Sequence, residues 1–320
     1  MERASAWVET ARGRALAEFV SLPGGAGARR YYRARFADGS TAVLMHALPE
    51  DPAILPAALR SESGEIPFLE VTEYLARHGV PVPEILAVER DERWVLLEDL
   101  GDVHLLDLQP SDRSPRLREA VDLLARIHDL PRSNALPFRR SFDADWVRFE
   151  LRTFAQHGLP ERWHAELAPE LDSLARAVAA LPRVLSLRDY QSQNLMIDAR
   201  GRLRVLDYQD ALHAPPELDL AALVCDSYLE LDAERGELCA RYWRARRRDS
   251  DPAAFALLVV QRKCKDYGRY RMIVERKGDL RYQPFIARAA RSVLEVLPAL
   301  PPAHAQLGAL LRQALAETGA

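Results

Sequence analysis

Asp189 and Asn194 stand five residues apart in Leu187-Arg188-Asp189-Tyr190-Gln191-Ser192-Gln193-Asn194, and Asp207 follows in Leu206-Asp207-Tyr208-Gln209-Asp210. The first carboxylate can accept or orient the proton of an acceptor hydroxyl. An amide oxygen and a second carboxylate can hold a Mg²⁺ ion that bridges nucleotide phosphates. Taken alone, Asp189 reads as an aspartate in a surface turn. Its surroundings argue otherwise. Arg188 precedes it, apolar Leu195-Met196-Ile197 follow Asn194, Arg200-Gly201-Arg202 makes a turn, and Leu203 to Leu206 deliver Asp207 at a strand end. The chemistry expected of this set is phosphoryl transfer from Mg²⁺-ATP to an alcohol. Asp189 is the expected base or orienter with Arg188 beside it, and Asn194 and Asp207 are the expected metal ligands. Asp210 reads equally as a helix cap or as a carboxylate supporting those ligands. Asp219, in Glu217-Leu218-Asp219-Leu220, reads as a brace for the loop.

Such residues need a frame. Residues 3–17 read as a helix, and strands are expected at Glu18–Leu22, Arg29–Phe36, Thr41–Met45, Ile85–Val88 and Trp94–Glu98. A helix starts at Pro67 and stops at Gly79. After Asp99-Leu100-Gly101-Asp102 the pattern turns helical, over 115–130, 143–157, 161–180, 217–230, 233–246, 252–276, 282–297 and 304–317. The chain therefore reads as α+β. A β-rich small lobe with one main helix occupies residues 1–100, and a larger helical lobe occupies 101–320.

In the small lobe, Gly24, Gly25 and Gly27 form a loop whose backbone N–H groups could approach phosphates, although most such clusters are plain hairpin turns. The next strand reads Arg29-Arg30-Tyr31-Tyr32-Arg33, and alternation sends Arg29 and Arg30 to opposite faces. The third strand, Ala42-Val43-Leu44-Met45, carries no lysine for the α- and β-phosphates. Arg29 or Arg30 is expected to replace it, and Glu70 or Glu73 is the carboxylate available to that cation.

Composition sets outer bounds. Among 320 residues, 48% are hydrophobic and 28% charged, and the formal net charge is −3, which gives no reason to expect nucleic acid or an anionic membrane as partner. No apolar run approaches the ~20 residues needed to span a bilayer. Cys225, Cys239 and Cys264 fit neither a metal site nor a disulfide framework and read as buried thiols of a cytoplasmic protein, and the expected assembly is a monomer acting on a small molecule.

The order Asp-x4-Asn, strand, Asp resembles the catalytic segment of the bilobal protein-kinase-like fold, in its aminoglycoside-phosphotransferase-like branch. Within that branch the chain is most similar to the bacterial kinases that phosphorylate N-acetylmuramate and N-acetylglucosamine at the anomeric hydroxyl. Arg29–Arg33 resembles their second strand, Val43-Leu44-Met45 a third strand that also lacks the lysine, and Leu96–Asp102 their hinge. Asp207-Tyr208-Gln209-Asp210-Ala211, Gln261-Arg262-Lys263 with Gly268, and Arg281-Tyr282 resemble later signatures. The resemblance implies ATP and Mg²⁺ as cofactors, an amino sugar as acceptor, and nucleotide contacts from Gly25, Gly27, Arg29, Arg30, Glu70 and the hinge residues Glu98 and Leu100, and of the two arginines it favours Arg30. Two departures stand out. Leu187 replaces a histidine that braces the catalytic loop, and Gly25 and Gly27 replace Asp and Ser. An aminoglycoside or choline acceptor, or a nucleotide-binding pseudokinase, is the alternative. The Arg- and Lys-rich stretch 255–277 disfavours a polycationic acceptor.

Overall fold

A computed structural model describes residues 1–23, 29–48 and 66–319. Gly24, Gly25 and Gly27 lie outside these described residues. The chain divides into two compact units, Met1–Val103 with Met196–Gln209, and His104–Leu195 with Asp210–Ala320.

The first unit is built on alternation. Strands β1 (Leu16–Ser21), β2 (Arg30–Phe36), β3 (Thr41–His46), β4 (Ile85–Glu89) and β5 (Trp94–Glu98) form an antiparallel sheet in the order β1-β2-β3-β5-β4. Tyr32, Ala34 and Phe36 on β2, Ala42 and Leu44 on β3, and Trp94 and Leu96 on β5 share one face. Helix α1 (Glu2–Arg12) covers that face through Ala4, Trp7 and Val8. Each large side chain buried this way is worth roughly 1.5–3 kcal/mol. Helix α1 ends five residues sooner than its composition predicts. Gly13 takes the left-handed conformation that caps it (φ 59°), and the Glu9 carboxylate then accepts the Leu16 N–H at 2.7 Å, which starts β1. Helix α2 (Pro67–Arg77) begins on a proline at its first position, as expected.

A simple split near residue 100 does not describe this unit, because Met196–Gln209 packs with it. Strands β7 (Leu195–Ile197) and β8 (Leu203–Val205) pair as a hairpin. The Arg204 guanidinium, nearly buried, donates to Glu98 at 2.6 and 3.0 Å, to Asp198 at 3.1 Å and to the Val82 carbonyl at 2.8 Å. Tyr208 is fully buried, stacked on Phe68 at 5.2 Å between centroids, with its hydroxyl 2.9 Å from Thr72 Oγ1.

The second unit is helical. It comprises α3 (Pro110–His128), α4 (Leu136–Arg139), α5 (Ala144–Thr153), α6 (Arg162–Ala180), α7 (Glu217–Val224), α8 (Arg235–Ala245), α9 (Pro252–Lys277), α10 (Gln283–Val296) and α11 (Ala305–Glu317). The short strands β6 (Val184–Ser186) and β9 (Leu212–Ala214) pair within it. Helix α9 runs through the core and is buried from Ala256 to Gly268 without a break. A five-residue π-helical turn, Phe154–Gly158, extends α5 against it. A Cβ on Gly268 would lie 2.5 Å from the Phe154 Cα and 2.6 Å from the Thr153 carbonyl oxygen, both backbone atoms. Gly268→Ala is therefore expected to lower stability by about 1–3 kcal/mol, the usual cost of overpacking, read as a lower denaturation midpoint. An unchanged midpoint would mean that the two backbones separate freely.

Candidate active site

The loop after β6 departs from ordinary backbone geometry. Four non-glycine residues among the described ones have positive φ, and two of them are Arg188 (71°) and Asp207 (57°). That conformation costs a non-glycine residue about 1–2 kcal/mol, so neighbours must enforce it. Around Arg188 they do. The Asp219 carboxylate accepts the Leu187 N–H at 2.7 Å, Ser186 Oγ accepts the Arg188 N–H at 3.1 Å, and Arg262 on α9 donates to the Arg188 carbonyl. The Arg188 guanidinium itself bonds Glu150 at 3.0 Å and Asp210 at 3.2 Å and lies over the Trp146 ring. Sequence reasoning grouped Arg188 with Asp189 as a chemical residue. Here its charge is committed to carboxylates of its own unit, and it anchors the loop. Asp210 is its partner rather than a helix cap.

Asp189 follows, with its side chain 21% exposed. Arg262 Nη2 donates to Asp189 Oδ1 at 3.0 Å, and Lys265 Nζ stands 3.9 Å from the same oxygen. Burial alone would raise its pKa, but Lys265, Arg262 and Arg188 outweigh burial and hold the carboxyl well below the usual carboxylate range. Asn194 Nδ2 donates to the Asp189 carbonyl at 2.8 Å, which turns the amide oxygen to the opposite side. The loop is closed by Ser192 N–H to Asp226 at 2.7 Å, Tyr190 hydroxyl to the Ala120 carbonyl at 2.9 Å, and His104 Nδ1 to the Gln193 carbonyl at 2.7 Å.

The departure at Leu187 has a physical answer. Asp219, fully buried, bonds the Leu187 backbone N–H and also His128 Nε2 at 3.1 Å. Burial keeps His128 neutral by lowering its pKa, so Nε2–H donates to Asp219 while Nδ1 accepts from the Tyr242 hydroxyl. The brace acts through a backbone amide and therefore does not depend on the side chain at 187. Asp219 has the structural role expected of it.

In the first unit, Asp207 Oδ1 lies 3.1 Å from Arg29 Nη1 and 3.0 Å from Gln209 Nε2. Tyr31 is packed beside this pair and its pKa is raised, chiefly by burial. Arg30 is exposed on the side of Tyr32 and His46, away from Asp207. Of the two arginines it is Arg29, not the favoured Arg30, that stands beside Asp207, and α1 covers the Tyr32 side of the sheet. Arg33 is committed elsewhere, to Asp99 at 2.8 Å, Asp102 at 2.9 Å and the Gly101 carbonyl at 3.0 Å, and it ties β2 to the hinge. Met45 is fully buried, so a lysine there would place an ammonium in the sheet core. Glu70 is half-buried in the first turn of α2, whereas exposed Glu73 pairs with Arg77. The Glu98 carboxylate is held by Arg204, and Leu100 is buried, so Glu98 serves the hinge's structure through its side chain.

Arg29→Ala is expected to raise the KM for ATP roughly 10- to 100-fold, the scale of a charge-assisted hydrogen bond, and Arg30→Ala to leave it within a factor of about two. Steady-state kinetics of the two variants checks the order. The reverse order would place the phosphate cation on the other face of the sheet.

Sequence reasoning missed Glu150, Asp226, Lys265 and His128 as parts of this site. The readable signal was Gln261-Arg262-Lys263-Cys264-Lys265-Asp266, a charged run inside a helix that is apolar from Phe255 to Val260. Glu150 offered none. Among the described residues no three His, Cys, Asp or Glu side chains gather as a metal site. Asp207 in the first unit and Asn194 in the second each present a hard oxygen of the kind Mg²⁺ takes.

A sheet-bearing small unit, a helical large unit, and a braced Asp-x4-Asn loop followed by a strand and Asp207 define a kinase-like phosphotransferase. A model of the phosphotransferase enzyme family matches residues 18–258, and the chain belongs to that family. It is accordingly a kinase, an enzyme that draws its phosphoryl group from a nucleotide. The chain is 30% identical over 317 residues to an N-acetylmuramate/N-acetylglucosamine kinase from Neisseria meningitidis, covering 91% of this chain and 90% of that one. It is 31% identical over 314 residues to the enzyme of the same name from Pseudomonas aeruginosa, covering 92% and 88%. Among solved structures, a choline kinase from Streptococcus pneumoniae superposes with a TM-score of 0.64 at 14% identity, covering 92% of this chain and 99% of that one. A type I macrolide 2′-phosphotransferase does so with 0.62 at 19%, covering 90% and 94%. These likenesses confirm the fold.

Proposed function

We propose that this kinase transfers the γ-phosphoryl group of Mg²⁺-ATP to the anomeric hydroxyl of an amino sugar, N-acetylmuramate or N-acetylglucosamine, and that it does so as a cytoplasmic monomer. The observation that carries the reading is the setting of Asp189. It is an ionised carboxylate whose neighbours Arg262 and Lys265 are cations, which suits a neutral or anionic acceptor and repels an aminoglycoside or choline. The similarity to two amino-sugar kinases over about nine-tenths of the chain supports the same choice. Three free cysteines fit a reducing compartment.

In this reading Asp189 orients the acceptor oxygen and takes its proton late, once the bond to phosphorus is forming. A carboxylate of such low basicity is suited to that timing in a loose transition state. Arg262 and the Glu150–Arg188 pair fix the loop, so that Asp189 need not reorganise. Arg29 draws on the nucleotide phosphates in place of the strand-three lysine. Asp207 would offer an anionic oxygen and Asn194 a neutral one to Mg²⁺, which would supply charge neutralisation at the transferring phosphates. Turnover of ATP with N-acetylmuramate, N-acetylglucosamine, an aminoglycoside and choline tests the reading. Amino-sugar 1-phosphates are the expected products. Phosphorylation of choline or the aminoglycoside, with no turnover of either amino sugar, would overturn it.

A further inference from the structure

Helix α9 brings Arg262, Lys265 and Arg269 to one face, at spacings of three and four residues. Arg262 is fully engaged with Asp189, Gln191 and the Arg188 carbonyl. Lys265 is not. The residue is 8% exposed, and its ammonium lies 3.6 Å from Asp266 and 3.9 Å from Asp189. It makes no hydrogen bond among the described residues. Its nitrogen is not among the buried atoms without a partner, so its three donors open to solvent and to any ligand that reaches Asp189. Burial and Arg262 lower its pKa, an effect that a bound anion would oppose. Arg269, one turn further on, is exposed and makes no hydrogen bond or ion pair among the described residues, yet its charge is felt at Asp189. An exposed helix cation is ordinary by itself. An ammonium that opens to solvent from an otherwise buried side chain, beside the carboxylate that must meet the acceptor, is not.

We propose that Lys265 and Arg269 bind a carboxylate carried by the acceptor, and so favour N-acetylmuramate over N-acetylglucosamine. The proposal rests on the amino-sugar reading above. The two sugars differ by one lactyl ether, which carries the carboxylate. An acceptor whose hydroxyl meets Asp189 comes within reach of Lys265, 3.9 Å from Asp189 Oδ1, and Arg269 lies about 6 Å further along the helix axis, at 1.5 Å per residue. A substituent two ring atoms from the reacting carbon is thereby carried along the cationic face.

The test is kcat/KM for both sugars in the full-length enzyme and in Arg269→Gln, Arg269→Lys and Lys265→Met. The ratio of N-acetylmuramate to N-acetylglucosamine efficiency is expected to fall about tenfold or more in Arg269→Gln and Lys265→Met, through KM rather than kcat. Arg269→Lys should restore part of it. Arg269 is exposed, so its variants fold even if Lys265→Met does not. An unchanged ratio in Arg269→Gln, or an equal loss for both sugars in Lys265→Met, overturns the proposal. The second of these results would assign Lys265 to the transferring phosphoryl group or to the loop. If the wild type phosphorylates both sugars and the ratio does not move, only this proposal fails. If it phosphorylates neither, the amino-sugar reading fails and this proposal fails with it.

Discussion

Asp189→Asn is expected to lower kcat by a factor on the order of 10² or more while ATP binding stays near that of the wild type. The carboxylate acts on the acceptor, and Asn preserves its shape and one acceptor oxygen for Arg262, 3.0 Å away in the wild type. What is lost is the negative charge that orients the hydroxyl and finally takes its proton. The low pKa adds a second expectation. A carboxyl depressed below its unfolded value stays ionised above about pH 4, so its contribution to stability is present there and is lost only as the pH falls towards the folded pKa. The kcat profile between about pH 5 and 8 should therefore show no acid limb from Asp189. A variant with near-wild-type kcat would remove Asp189 from the chemistry. A limb with pKa near 6 in the wild type would show that the working carboxyl is protonated far more readily than its cationic setting allows.

Asp207→Ala should abolish magnesium-dependent nucleotide binding, and Asn194→Ala should weaken it by no more than about tenfold. The first change deletes an anionic oxygen, whereas a water can stand in for the second. Asp207→Ala also leaves Arg29 without the carboxylate 3.1 Å away, so nucleotide affinity without the metal should change little or rise. Calorimetric titration of ATP with and without Mg²⁺ separates the two effects. Wild-type affinity for Mg²⁺-ATP in Asp207→Ala would contradict the assignment.

How much of this was legible depended on how local the cause was. The Asp189–Asn194–Asp207 series could be read because its spacing is short and its chemistry is carried by residue type. The sheet could be read because Tyr32, Ala34 and Phe36 alternate strictly. That same alternation separates Arg29 from Arg30, but only the cover supplied by α1 decides which side holds Asp207. The end of α1 was misjudged because Gly13 in the left-handed region, not helix propensity, sets it. Glu150 is one glutamate on an amphipathic helix, and nothing nearby in sequence foretells its bond to Arg188. The doubt raised by Leu187 came from treating a side chain as the brace, when the brace is a backbone amide held by Asp219.

Arg204 has a consequence for the order in which the chain acquires its shape. Its partners Glu98, Pro81 and Val82 leave the ribosome about a hundred residues before it does. At about 5–20 residues per second, the small unit waits roughly 5–20 s in synthesis before Met196–Gln209 can dock. During that interval Glu98 lacks its cation, Thr72 lacks the Tyr208 hydroxyl and Phe68 lacks the Tyr208 ring. The nascent small unit thus has all five strands of its sheet but exposes apolar surface, and the carboxylate Asp207 arrives on the same segment that covers it. A chain interrupted anywhere before Arg204 is left with neither a finished small unit nor that carboxylate, so partial products of synthesis are unfit to bind the metal nucleotide.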